Sequence, residues 1–97
     1  MNTYVKVIDR NGEDYYFAEV AYEKGIIGIS RHRGLYKVRE REIYPCDVRE
    51  IIIEKTSEER TISFYHDKEH YTFFDSGNGI VSFLNLKVNP LFFSKVI

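Results

Sequence analysis

The sequence lacks the features that mark several classes of protein. It contains a single cysteine, which excludes an internal disulfide framework. It has no apolar run of about 18 residues that could cross a bilayer as a helix. Its net charge of −1 gives no long-range attraction to nucleic acid or to an anionic membrane. We therefore expect a protein without a membrane span, whose contacts with partners depend on local patches.

The composition is that of a folded protein. Hydrophobic residues make up 43% of the chain, which is above the range typical of disordered sequences. A chain of 97 residues is long enough for one modest core but too short for a second domain. The first residues, M-N-T-Y-V-K, carry no basic and then apolar leader, so we expect a cytoplasmic protein. The sequence predicts one domain over residues 1–97.

Short alternating runs separated by polar breaks predict a mainly β fold. Asn11-Gly12 is a dipeptide that favours a hairpin turn between the first two runs. Pro45 removes a ladder donor, so we place the boundary between two antiparallel sheets at residues 44–47. The predicted strands lie near residues 3–8, 14–22, 25–30, 35–43, 48–55, 60–65 and 70–75.

The pattern changes after Gly77 and Gly79, where apolar residues fall at helical spacing. This predicts a helix over residues 79–88 that ends before Pro90. The alternative is a strand, because several apolar residues of this segment also share one parity. The tail, residues 91–97, is too apolar for a solvated terminus, and we expect it to pack on the domain or on a second copy. Phe92 and Phe93 are the candidate contacts for self-association into a homo-oligomer.

The order of elements resembles that of a known superfold. The segment I-Y-P-C-D-V-R-E-I-I-I-E-K, continued by R-T-I-S-F-Y, H-Y-T-F-F-D and G-N-G-I-V-S-F-L, is similar to the second half of the small bacterial pleckstrin-homology-like domains. The resemblance covers residues 43–88 in residue pattern and the whole chain in element order. It implies a two-sheet β-sandwich or partly open barrel of about seven antiparallel strands, closed by a C-terminal helix.

The resemblance also implies what the protein binds. Phosphoinositide-binding members of the family carry a lysine on the first strand and a basic pair on the second. Lys6 matches the first position, but residues 14–22 contain no lysine or arginine. Phosphoinositide binding is therefore not expected, and the resemblance implies a scaffold that binds protein.

Basic residues are concentrated between residues 24 and 49. In a strand, Lys37, Arg39 and Arg41 would share one face, with Tyr36 and Val38 on the other. Such a row beside the loop Arg31-His32-Arg33 could grip phosphates or an acidic partner. The alternative is an edge strand that its charges keep from pairing. The candidate partner-binding residues are Arg31, Arg33, Tyr36, Lys37, Arg39 and Arg41.

Aromatic residues are the second candidate signal. The chain has eight tyrosines and seven phenylalanines, and tyrosine together with arginine is typical of interface hot spots. Tyrosines can equally line the edge of a small core with the hydroxyl in water. The tyrosines that strand parity predicts at the surface are Tyr4, Tyr15, Tyr22, Tyr44, Tyr65 and Tyr71.

Residues that could carry catalysis or a metal are few. His66 and His70 flank a predicted turn and could hold zinc with Asp67 or Glu69, but surface histidines are the favoured interpretation because no helical metal motif is present. Cys46 lacks the electropositive setting of a reactive thiol, so we expect it to be partly buried and unreactive. No phosphate-binding loop or nucleophile elbow is present. The sequence predicts no enzyme activity, no metal and no cofactor.

These observations predict a small non-enzymatic interaction module of the cytoplasm. It would bind another protein through the aromatic and basic surface around residues 31–41. The alternative is a small nucleic-acid-binding β-barrel that uses Arg31, Arg33, Lys37, Arg39 and Arg41. Salt dependence separates the two, because phosphate contacts weaken steeply as salt is added.

Overall fold

The computed structural model describes residues 1–89. The mainly β fold with seven antiparallel strands and one C-terminal helix is confirmed, and residues 80–88 form the helix and not a strand. The elements are β1 (Asn2–Asp9), β2 (Gly12–Glu23), β3 (Ile26–Arg33), β4 (Tyr36–Ile43), a 3₁₀ turn (Pro45–Asp47), β5 (Arg49–Lys55), β6 (Arg60–His66), β7 (Glu69–Asp75) and α1 (Ile80–Val88).

All seven strands belong to one hydrogen-bonded sheet, in the order β4-β3-β2-β1-β7-β6-β5. The expected division into two sheets at residues 44–47 is wrong, because β1 joins strands β2–β4 to strands β5–β7 in a single sheet. It pairs with β2 along its whole length and with β7 from Tyr4 to Ile8. The sheet is not closed into a barrel, since β4 and β5 are its two edges.

The core lies on one face of this sheet, which we call the inner face. Alternate residues of β1, β2, β6 and β7, together with Ile27 and Ile29 of β3 and Ile43 of β4, point into it, as the period of two requires. Helix α1 packs over β6 and β7 on this face. The buried apolar residues are Val5, Val7, Tyr16, Ala18, Val20, Ile27, Ile29, Ile43, Ile62, Phe64, Tyr71 and Phe73 of the strands, with Ile80, Val81, Leu84 and Val88 of the helix.

The start of α1 is built around one carboxylate. Asp75, at the end of β7 and only 6% exposed, accepts hydrogen bonds from the backbone N–H groups of Gly77 at 2.8 Å, Gly79 at 3.2 Å and Val81 at 3.1 Å. Gly79 has a left-handed φ of 84°, which favours glycine. Asp75 therefore caps the N-terminus of α1.

A bulge in the β3–β4 pair changes the predicted faces of β4. Arg39 lies opposite Ser30, whereas Arg41 lies opposite Ile29, so that Glu40 is the extra residue. Ile29 points into the core, and Arg41 therefore lies on the inner face while Arg39 lies on the outer face. The prediction that Lys37, Arg39 and Arg41 share one face is wrong, because a bulge shifts the alternation by one residue.

Candidate protein-interaction surface

The strand register places the predicted basic residues on both faces of the sheet. Arg31 and Arg33 share the parity of Ile29 on β3, which puts them on the inner side with Arg41. Tyr36, the first residue of β4, lies opposite Arg33 and is largely exposed. Lys37 and Arg39 lie on the outer face. The structure thus does not bring the six candidate residues together on one surface.

On the inner side, Arg31 lies between two carboxylates and a ring. Its guanidinium carbon is 3.6 Å from the ring centroid of Tyr16. Its nitrogen atoms are 2.5 Å from Asp14 and 3.2 Å from Glu40, and Glu40 also contacts Arg33 at 2.8 Å. Burial alone would lower the pKa of Arg31, but the two carboxylates outweigh burial and raise it. The side chain of Arg31 therefore makes its polar contacts with residues of the protein itself.

The ion pairs of Arg41 link β4 to strands that are distant from it in the sheet order. It pairs with Glu69 at the start of β7 and with Asp9 at the end of β1, the latter at 3.7 Å. Glu69 also accepts the Tyr71 hydroxyl at 2.9 Å, and burial together with this bond raises the pKa of Tyr71. Because β3, β2 and β1 lie between β4 and β7, this contact shows that the sheet curls around its inner face.

We expect the Arg41–Glu69 pair to contribute measurably to stability. A double-mutant cycle with Arg41→Met and Glu69→Gln should give a coupling energy of about 1 to 2 kcal/mol, because both side chains are largely buried. The matched control is Arg39→Met with Glu42→Gln, an exposed pair, for which we expect less than about 0.5 kcal/mol. Urea unfolding measures both cycles. Equal coupling energies in the two cycles would contradict the stabilising role of the Arg41–Glu69 pair.

The outer basic residues are also paired with acids. Lys37 lies 2.5 Å from Glu19 on β2, and Arg39 lies 3.3 Å from Glu42. Each basic residue of the predicted patch therefore has a carboxylate within ion-pair distance. A phosphate would have to displace these carboxylates or bind beside them, which weakens the electrostatic attraction that nucleic acid needs.

The outer face carries a group of exposed aromatic rings at its centre. Tyr4 on β1 lies opposite Phe17 on β2 and Phe74 on β7. The Tyr4 ring stacks on Tyr15 with centroids 5.3 Å apart and meets the Phe17 ring edge to face at 5.0 Å. Phe74 completes the group, 5.6 Å from Tyr15. We call Tyr4, Tyr15, Phe17 and Phe74 the outer aromatic cluster.

The cluster is exposed to solvent. Tyr4 is 47% exposed, Tyr15 is 55% exposed and Phe17 is 51% exposed, while Phe74 is half-buried. Helix α1 packs on the other face of the sheet, so it does not cover these rings. A contiguous group of exposed rings is a candidate contact surface.

The sequence predicted only part of this cluster. It predicted Tyr4 and Tyr15 at the surface but not Phe17 or Phe74. Phe17 was missed because both faces of β2 are apolar over part of the strand. The signal that identifies Phe17 is its parity with Glu13, Glu19 and Glu23. Tyr22, Tyr44 and Tyr65 are exposed as predicted, whereas Tyr71 is buried, and the prediction for Tyr71 is wrong because it shares the inner face with Phe73.

The two candidate zinc histidines lie on opposite faces. His66 is buried, and its Nε2 accepts the backbone N–H of Tyr44 at 3.1 Å. His70 lies on the outer face opposite Tyr65, with ring centroids 4.6 Å apart. Within residues 1–89, no group of three metal-ligating side chains is close enough to hold an ion. Cys46 is exposed and not partly buried as expected.

The chain matches no protein-family model, no curated protein and no solved structure. No helix in the described part of the chain is both long and apolar enough to span a membrane. Phe92 and Phe93, the predicted self-association contacts, lie outside the described residues. The candidate surface therefore depends on its own geometry alone.

Proposed function

We propose that the protein is a small non-enzymatic interaction module that binds another protein through the outer face of its sheet. The observation that supports this proposal is the outer aromatic cluster, four rings linked in a row by three ring contacts on a sheet face that α1 does not cover. Rings held by a rigid sheet lose little conformational entropy on binding, which is why aromatic residues are common in interface hot spots.

The surroundings of the cluster have the composition of an interface rim. On the β3–β4 side, the pairs Lys37–Glu19 and Arg39–Glu42 form a polar border of both charges, and Lys6 lies opposite Tyr15. An apolar centre with a polar border is the usual anatomy of a protein–protein contact. The aromatic and basic surface predicted from the sequence is thus shifted toward β1 and β2, with Lys37 and Arg39 at its border.

The proposal includes the resemblance to pleckstrin-homology-like domains. It is supported by the order of elements, four strands, a bend, three strands and a C-terminal helix. A protein-binding module of the cytoplasm agrees with that resemblance, but the site is argued from its residues because a fold does not assign a function.

The second candidate is a nucleic-acid-binding domain. Exposed rings on a sheet could stack bases, and Lys6 lies beside them. The carboxylates that pair with Lys37 and Arg39 count against this alternative, since they lower the local positive charge. The nuclease step of the experiment below distinguishes nucleic-acid binding from protein binding.

The proposal is tested by affinity capture from lysate of the source cell, with nuclease treatment before elution. We expect the wild type to retain a protein that Tyr15→Ser/Phe17→Ser loses by at least about tenfold, as loss of hot-spot residues would cause. The Lys37→Glu/Arg39→Glu variant should weaken capture less, because these residues lie at the border. The matched control replaces two exposed leucines elsewhere, Leu35→Ser/Leu86→Ser, and should capture normally.

The alternatives give different results in the same experiment. A ligand that nuclease removes and that the charge-reversed variant fails to retain would favour nucleic acid. Equal capture by the wild type and the Tyr15→Ser/Phe17→Ser variant would contradict the proposed surface. Thermal unfolding of each variant verifies that a loss of capture does not come from a loss of fold.

A further inference from the structure

Gly28 differs from the other glycines of the chain. The other five all have positive φ angles, so their backbone conformation accounts for glycine. Gly28 lies within β3 and has no such angle, and glycine inside a strand weakens it because there is no side chain to pack. It is buried although its position, between the inward-pointing Ile27 and Ile29, faces outward. Something other than backbone conformation therefore accounts for this glycine.

The guanidinium of Arg39 lies where a side chain at position 28 would be. A Cβ atom added to Gly28 would stand less than 3.0 Å from the Cζ, Nη1 and Nε atoms of Arg39. Non-bonded carbon atoms meet at about 3.5 to 4.0 Å, so an alanine at this position would displace the guanidinium. The absence of a side chain at Gly28 thus provides the space in which Arg39 lies against the outer side of β3.

Two polar contacts hold the guanidinium in this position. Its Nε donates a hydrogen bond to the hydroxyl of Ser30 at 3.4 Å, and its Nη1 donates one to the carboxylate of Glu42 at 3.3 Å. The Arg39 side chain is nevertheless 46% exposed. Within residues 1–89, its Nη2 has no hydrogen-bond partner. An arginine that is already ordered, with N–H groups open to solvent, loses less entropy when a partner contacts it.

The inner side of the sheet shows how many acids an arginine of this protein contacts. Arg31 and Arg41 each contact two carboxylates from other strands. Within the described part of the chain, Arg39 contacts one carboxylate, that of Glu42. A phosphate carries up to about two negative charges at neutral pH, so Glu42 would repel it more strongly than it repels a carboxylate. The open N–H groups of Arg39 are therefore suited to a carboxylate from another molecule.

We infer that Arg39 binds a carboxylate of the protein partner that contacts the outer aromatic cluster, and that Gly28 positions Arg39 for this contact. The inference rests on the proposed function, because Arg39 lies at the border of the same surface. Gly28 lies opposite Ala21, which is four residues along β2 from Phe17. The partner thus presents an acidic side chain roughly 15 Å from the apolar group that packs on the rings.

The first test uses the capture experiment described above. We expect Arg39→Met and Gly28→Ala each to reduce the retained protein by about threefold to fivefold, the scale of a partly exposed ion pair. The double variant should lose no more than either single variant, because both remove the same contact. The matched control is Arg33→Met, at an exposed arginine on the inner side, which should retain the partner normally. Gly28→Ala should unfold at the urea concentration of the wild type or at a higher one, since only the movable end of Arg39 is displaced.

The acidic group is located by substitutions in the captured protein. Once mass spectrometry has identified that protein, each of its exposed aspartates and glutamates is replaced by the corresponding amide. One such replacement should weaken binding to the wild type by the same factor and should leave binding to Arg39→Met unchanged. Treatment of the lysate with a phosphatase should not change the capture, because the group that Arg39 binds is a carboxylate.

The position of Arg39 is measured without any partner. NMR relaxation gives the order parameter of the Arg39 Nε–H group on the nanosecond timescale and faster. We expect a value above about 0.6 in the wild type and below about 0.6 in Gly28→Ala, since the alanine releases the guanidinium from β3.

The outcomes distinguish this inference from the proposed surface. If Tyr15→Ser/Phe17→Ser loses the partner but Arg39→Met or Gly28→Ala retains it fully, the surface stands and the inference is wrong. The inference alone is also overturned by an Arg39 Nε–H that is equally mobile with and without Gly28, by a loss of capture after phosphatase treatment, or by a partner with no acidic residue coupled to Arg39. Retention of the partner by Tyr15→Ser/Phe17→Ser, or capture of no protein by the wild type, would overturn both.

Discussion

Replacing Asp75 with alanine is expected to lower the free energy of unfolding by about 2 to 3 kcal/mol, because bonds from three backbone donors to a buried carboxylate are lost. The substitution removes the contact that joins the end of β7 to the start of α1. Urea unfolding followed by circular dichroism measures the change. The control is Glu58→Ala in the exposed β5–β6 turn, which should shift stability by less than about 0.5 kcal/mol.

The same carboxylate should make stability depend on pH. Burial acts to raise the pKa of Asp75, but the N–H donors of Gly77, Val81 and Gly79, together with Arg60, outweigh burial and lower it. A lowered pKa in the folded state means that the contribution is fully present above the unfolded carboxyl pKa of about 3.9 and is lost as pH falls below it.

The variant Asp75→Asn isolates this dependence. Asparagine keeps the shape and one acceptor oxygen, but it does not titrate. The stability gap between the wild type and Asp75→Asn should be wide near about pH 7 and should narrow near about pH 3. A gap that stays constant over this range would contradict the assignment of the pH dependence to Asp75.

Replacing Phe73 with alanine is expected to have the largest effect on the fold, about 3 to 5 kcal/mol of destabilisation. Phe73 is fully buried and lies between Val5 of β1 and Ile62 of β6, and its ring is 5.7 Å from that of Phe64. The pairing of β1 with β7 joins strands β1–β4 to strands β5–β7 in the single sheet. A cavity at this position should therefore loosen the whole sheet.

The chain offers a matched control for this substitution. Phe17 is also a phenylalanine on a strand, but it lies on the outer face and is half exposed. We expect Phe17→Ala to lower the free energy of unfolding by less than about 1.5 kcal/mol, the range of exposed aromatic pairs. Equal losses from the two variants would contradict the assignment of the two faces.

The sequence predicts the elements of this fold well, because each strand carries its own local pattern. Alternation together with the Asn11-Gly12 turn identified the hairpin of β1 and β2, and the change of spacing after Gly79 identified α1. The single sheet was not predictable, since the pairing of β1 with β7 joins residues 62 to 70 positions apart in the sequence. No local signal records that pairing.

The candidate site was harder to predict for two physical reasons. The bulge at Glu40 moves Arg41 to the inner face, and nothing in the alternation of β4 shows where a bulge occurs. The carboxylates that pair with the basic residues come from other strands, such as Asp14, Glu19 and Glu69. A basic run in the sequence is therefore largely neutralised in space, and the exposed aromatic rings become the stronger candidate.

The measurement that tests the proposed surface most directly is photo-crosslinking in the source cell. A photoreactive phenylalanine analogue is placed at Phe17 in the outer aromatic cluster and, separately, at Leu35 in the exposed β3–β4 turn. The proposal predicts a discrete adduct with another protein from position 17 and none from position 35. The absence of an adduct at position 17, or the same adducts from both positions, would contradict it.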